Sequence, residues 1–81
     1  MQAGTIRLEI QINGIVQGVG FRPFISKLSN EYFLSGFIKN TRDGVTIEVE
    51  GNENNIFNFI NDIQRKAPPL SMITGISNKT I

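Results

Sequence analysis

The chain has 81 residues and 40% hydrophobic content, enough for one modest core in one domain spanning residues 1–81. It contains no cysteine and no histidine, which excludes disulfides, Cys/His metal centres, Ser-His-Asp triads and histidine general bases. A formal net charge of +1 supplies no global basic field for nucleic acid, and no apolar run reaches transmembrane length.

The predicted elements follow in chain order. In "TIRLEIQIN", Ile6, Leu8, Ile10 and Ile12 alternate with Arg7, Glu9 and Gln11, the period of a strand with one buried face. A glycine-rich stretch follows, "NGIVQGVGFRPF". Beyond it, Ile25, Leu28 and Tyr32 fall at helical spacing, and Pro23 suits a first turn, so a helix is expected to start at Arg22 or Pro23. "SGFIKN" reads as a second strand. "TRDG" reads as a turn in which Asp43-Gly44 supplies the positive φ that a tight hairpin needs, and "VTIEVEG" reads as a third strand with Val45, Ile47 and Val49 inward.

"NENN" offers helix N-caps. Ile56, Phe59, Ile60 and Ile63 form the apolar stripe of a second helix, and Arg65 and Lys66 suit its last turn. Pro68 and Pro69 stop that helix. The tail is expected to form a last strand with Leu70, Met72 and Ile76 on one side. Phe21, Phe24, Phe57 and Phe59 are expected to pack, since the basic, aromatic strand pattern of an RNA-binding sheet is missing. The order β-α-β-β-α-β at this length predicts an α+β, ferredoxin-like split βαβ fold, an antiparallel sheet with two helices on one face.

On that fold the glycine-rich stretch joins the first strand to the first helix. Helix N-termini present unpaired N–H groups and partial positive charge. Glycines let successive amides turn toward one point, and the planar fork of Arg22 can close over two oxygens of an anion there. The stretch Ile15–Arg22 is therefore a candidate cradle for one phosphate-like anion. It is no P-loop, because no Gly-Lys-Ser/Thr follows, and it lacks the dinucleotide spacing. A plain strand-to-helix connection with turn glycines, and a surface Arg22 paired to an acid, remain open on spacing alone.

The residues Gly14, Val16, Gln17, Gly18, Val19, Gly20, Phe21 and Arg22 resemble the signature loop of the acylphosphatases without a mismatch. A second block of that family, Asn-x-x-Asp-Gly-x-Val, is met in part: Asn40, Asp43 and Gly44 stand in place and Val45 follows directly. "GFRPF" and "APPL" further resemble the N-terminal acylphosphatase-like domain of hydrogenase-maturation carbamoyltransferases. The segment "SMITGISNKTI" is where the sequence departs from the family's recognisable pattern, so the resemblance does not place the end of the last strand.

The resemblance implies hydrolysis of an acyl phosphate to a carboxylate and phosphate, carbamoyl phosphate in the maturation setting. It implies no cofactor and no metal. Arg22 would hold the phosphoryl group with the amides of Val16, Gln17, Gly18, Val19, Gly20 and Phe21, and Asn40 would place the attacking water. For Asn40 the competing reading is a turn residue. The expected partners are a small acyl phosphate or phosphate anion and further domains of a larger maturation protein, with neither nucleic acid nor membrane. The expected location is the cytoplasm. A non-catalytic anion-binding or regulatory domain, or a free-standing acylphosphatase, are the alternatives.

Overall fold

The computed structural model describes residues 4–81. Its elements are β1 (Thr5–Ile15), α1 (Phe21–Glu31), β2 (Ser35–Asn40), β3 (Gly44–Asn52), α2 (Glu53–Lys66) and β4 (Met72–Thr80). The strands form one sheet in the order β2-β3-β1-β4, and every neighbouring pair is antiparallel. This is the ferredoxin-like α+β arrangement expected from the element order.

Strand alternation sorts the sheet into two faces. Leu8, Ile10 and Ile12 of β1 lie opposite Val49, Ile47 and Val45 of β3, and all six are buried. They join Phe21, Ile25 and Leu28 of α1 and Ile56, Phe59 and Ile63 of α2 in one core, so both helices cover that face. The other face is polar. There Arg7 donates to Glu48 and Glu50, and Lys79 of β4 pairs with Glu9.

Each helix is ended by local chemistry. The Asn52 side chain accepts from the amides of Asn54 and Asn55 and caps α2. The Ala67–Pro68 bond ends it, because a residue before proline is pushed toward extended backbone. At the end of α1, Leu34 N–H bonds to the Ser29 carbonyl and Phe33 N–H to that of Asn30, a Schellman closure. The residue that must turn left-handed there is Phe33, at φ 57°.

Several details depart from the sequence expectations. The helix α1 starts at Phe21, ahead of Arg22 and Pro23, and β1 continues past Asn13 to Ile15. Phe57 is 47% exposed, on the outer face of α2, whereas Phe21 and Phe59 are buried and Phe24 packs against the core. In β4 the inward residues are Ile73 and Ile76, while Leu70 precedes the strand and Met72 is exposed. A bulge is the cause. Asn13 pairs with Gly75 but Gly14 pairs with Ile73, so Thr74 is an extra residue and the side-chain parity flips across it. Neither Asp43 nor Gly44 takes the positive φ expected of the pair. Gly44 is needed for close approach, since a Cβ there would overlap the Ile12 carbonyl.

Candidate active site

The connection from β1 to α1 is anchored at both ends. Val16 and Phe21 are each 1% exposed, so their side chains belong to the core and the segment between them is held as an arch. Within that arch Gly18 and Gly20 sit at φ 72° and 81°. A Cβ on either would meet nothing within 4 Å, so backbone conformation is what calls for glycine there. Val19, between them, packs against the core.

Alternating left-handed residues turn consecutive amides toward a common side, the geometry of an anion nest. Among the described residues, the amides from Gln17 through Arg22 donate to no backbone carbonyl outside regular elements, and α1 has no side-chain N-cap. These are the free donors that a helix start offers to a negative group.

Arg22 is the second residue of α1 and is exposed. The ion pairs among the described residues use Arg7, Arg65, Lys66 and Lys79; none engages Arg22. Among the described residues Arg22 is thus not a surface arginine paired to an acid. Arg22 follows the nest directly in the chain, and among the described residues no acid takes up its guanidinium donors.

Asn40 closes β2. It pairs with Val45, which pairs in turn with Ile12. Residues directly opposite one another share a face, so Asn40 projects from the helix-covered side, as buried Val45 and Ile12 do. Two strand spacings, roughly 10 Å, separate its backbone from β1. Arg22 and Asn40 therefore stand at the same end of the sheet and on the same side of it. Lys39 and Arg42 flank Asn40 and its turn and are both exposed. Lys39, opposite Thr46, belongs to the polar face.

The Gln17 side chain has a role that sequence reasoning missed. Its Nε2 donates to the Thr41 carbonyl at 2.6 Å and to the Gly44 carbonyl at 2.8 Å. It thereby joins the arch to the turn that follows Asn40. From the sequence, Thr41 is only a residue of the turn. Its N–H bonds to the Gly44 carbonyl, and its hydroxyl accepts from Gln11 Nε2 at 3.3 Å. The signal in the sequence was a polar side chain among glycines, which says that a partner exists without saying where.

The larger grooves lie beside this centre. One of about 510 Å3 is lined by Asn13–Gln17, Arg42–Gly44 and Thr74, and another of about 520 Å3 by the Pro68–Pro69 segment and β4. Neither is lined by Arg22 or Asn40. An anion gripped by a nest and a guanidinium needs convergent donors more than depth, so the arch is the better centre for chemistry.

The chain is similar to known proteins in sequence and in fold. A family model described as acylphosphatase matches residues 8–81. A probable carbamoyltransferase HypF of Methanocaldococcus jannaschii is 47% identical over 76 residues, covering 94% of this chain and 10% of that protein. An acylphosphatase of Thermotoga petrophila is 41% identical over 71 residues, covering 86% of this chain and 78% of that enzyme. The crystal structure of full-length HypF in a phosphate- and nucleotide-bound form superposes with a TM-score of 0.95 at 41% identity, over 100% of this chain and 11% of that one. The chain thus spans about a tenth of the length of these carbamoyltransferase relatives.

Proposed function

The chain belongs to the acylphosphatase family, and from that premise we propose that it hydrolyses carbamoyl phosphate in hydrogenase maturation, in the cytoplasm, with Arg22 and Asn40 as its catalytic residues. Acyl phosphate hydrolysis as a class is supported by the family match and by the acylphosphatase relatives. The choice of carbamoyl phosphate, and of a larger protein whose further domains would use the product, is supported by the 47% identity to the carbamoyltransferase. Pro23 directly after Arg22, a feature of the resemblance to that domain, supports it too.

The chemistry asks little of the protein beyond placement. An acyl phosphate already carries a good leaving group, so the barrier falls when the phosphoryl group is held, its charge offset and a water aimed in line. In the proposed mechanism, the amides of the arch and the Arg22 guanidinium hold the phosphoryl oxygens. The Asn40 carboxamide orients the water, since it accepts and donates hydrogen bonds without being a base. The water oxygen bonds to phosphorus as the bond to the acyl oxygen breaks. The carboxylate, or carbamate, leaves with that electron pair, and the proton of the water passes to a phosphate oxygen. No side chain titrates in this cycle.

The observation that carries the reading is the placement of an unpaired Arg22 and a row of free amides on the same side and end of the sheet as Asn40. The test is phosphate release from carbamoyl phosphate and acetyl phosphate by the wild type, Arg22→Ala and Asn40→Ala, each confirmed as folded by circular dichroism. Loss of one preorganised donor to a developing charge costs about 100-fold or more in kcat. Both variants are expected to fall by that order. A folded Arg22→Ala or Asn40→Ala with wild-type turnover would remove that residue from the mechanism. Arg22-dependent phosphate binding without any wild-type turnover would identify a binding domain instead.

A further inference from the structure

We propose that Gln17 is a positioning residue, which fixes the turn carrying Asn40 against the arch carrying Arg22. The inference rests on the hydrolase reading above and adds to it the part that sets the spacing between its two catalytic residues.

The carboxamide NH2 of Gln17 has two hydrogens and spends both on the turn, one on the Thr41 carbonyl and one on that of Gly44. Its orientation is thereby decided, since a flipped amide would face carbonyl oxygen with oxygen. At the apex formed by Arg42 and Asp43, Thr41 N–H bonds to the Gly44 carbonyl. The reciprocal backbone bond, from Gly44 N–H to the Thr41 carbonyl, is not made among the described residues. Gln17 supplies the missing donor. The peptide carbonyl it grips belongs to the residue directly after Asn40, so the grip acts on the backbone that aims the Asn40 side chain.

The arch does not depend on Gln17 for its own shape. Val16 and Phe21 are buried on either side, and Gly18 and Gly20 set the curve. The turn is less constrained. Besides its strand pairing it has the bond from Gly14 N–H to the Asp43 carbonyl and the Gln11–Thr41 contact. Removing the Gln17 donors therefore frees the turn and leaves the anion cradle in place. Displacement of a positioning group by about 1 Å is enough to slow a reaction severely.

The experiment measures kcat and the competitive inhibition constant of inorganic phosphate for wild type, Gln17→Ala, Asn40→Ala and the double variant. Gln17→Met accompanies them, keeping the volume and the neutral charge but removing both donors, so that a poorly folded Gln17→Ala does not decide the matter. The expected result is a fall in kcat of about tenfold or more for both Gln17 variants, with phosphate inhibition within about threefold of wild type. On the Asn40→Ala background the Gln17 effect is expected to vanish, because the group it positions is gone. An equal loss on both backgrounds, or a phosphate constant that worsens in step with kcat, would overturn the proposal. A backbone and side-chain amide NMR comparison runs in parallel. Gln17→Ala is expected to move the Asn40 and Thr41 signals while those of Ile10 and Ile47 stay; unmoved Asn40 and Thr41 signals would also overturn it. Should the wild type lack turnover, the hydrolase reading alone fails, and the NMR comparison still decides whether Gln17 fixes the turn.

Discussion

At the scale of single residues, the glycines and their counterparts separate into two physical kinds. Gly20 needs only its left-handed φ, so Gly20→Ala is expected to cost about 1–2 kcal/mol of stability, measured by urea unfolding. Gly44 needs room against the Ile12 carbonyl, so Gly44→Ala forces β1 and β3 apart and is expected to cost more than Gly20→Ala. The reverse case is Phe33, a bulky residue at φ 57° that is 86% exposed. Phe33→Gly relieves the left-handed strain and loses almost no packing. It is expected to raise stability by about 1 kcal/mol, and an unchanged or lower urea midpoint would count against that account. Arg22 and Asn40 could be proposed from the sequence because they match the family blocks. The grip of Gln17 on Thr41 and Gly44 was not, because a side-chain bond across 24 residues leaves no periodic trace.

At the scale of elements, every helix and strand was expected from the sequence, β1, α1 and α2 most clearly from hydrophobic period, and the misses lie where backbone geometry breaks that period. The bulge at Thr74 reversed the inward set of β4, and alternation alone cannot foresee an inserted residue. Between the helices, the buried Asp62 of α2 accepts from the Tyr32 hydroxyl at 2.5 Å and lies 3.3 Å from Lys66 and 3.6 Å from Arg65. The Tyr32 hydrogen bond, aided by these cations, holds the Asp62 carboxyl below its usual pKa, against the opposing effect of burial. The same bond raises the Tyr32 phenol, helped by burial and by the charges of Asp62 and Glu31. A depressed acid gives stability that is present above its unfolded value and is lost as pH falls through the folded one. A raised phenol gives stability that is present below its unfolded value, about 10, and is lost as pH climbs through the raised one. Tyr32→Phe is therefore expected to lower Tm at neutral pH and to flatten its fall at both extremes. A Tm curve merely shifted parallel to that of the wild type would exclude the linkage.

At the scale of the whole molecule, the core is a single seam between one sheet face and two helices, so its residues are not interchangeable with apolar residues elsewhere. Phe59→Ala is expected to cost about 3–5 kcal/mol, a large share of the stability of a domain this size. Phe57→Ala, on the outer face of the same helix, is expected to change stability by no more than about 0.5 kcal/mol. Urea midpoints for the pair test the assignment of inside and outside. The sheet order itself was readable from the order of elements, but the pairing of strands far apart in sequence was readable only through the fold class.

That pairing governs how the molecule comes into being. The central strand β1 precedes every other element of the fold in the chain, yet one of its two flanks is covered by β4, with Leu8 opposite Thr80. A growing chain can build both helices and the β2–β3 hairpin while that flank stays bare. The native sheet, and the end of it that carries the arch, is complete only once β4 has been made, so the second flank of the central strand is the last to close.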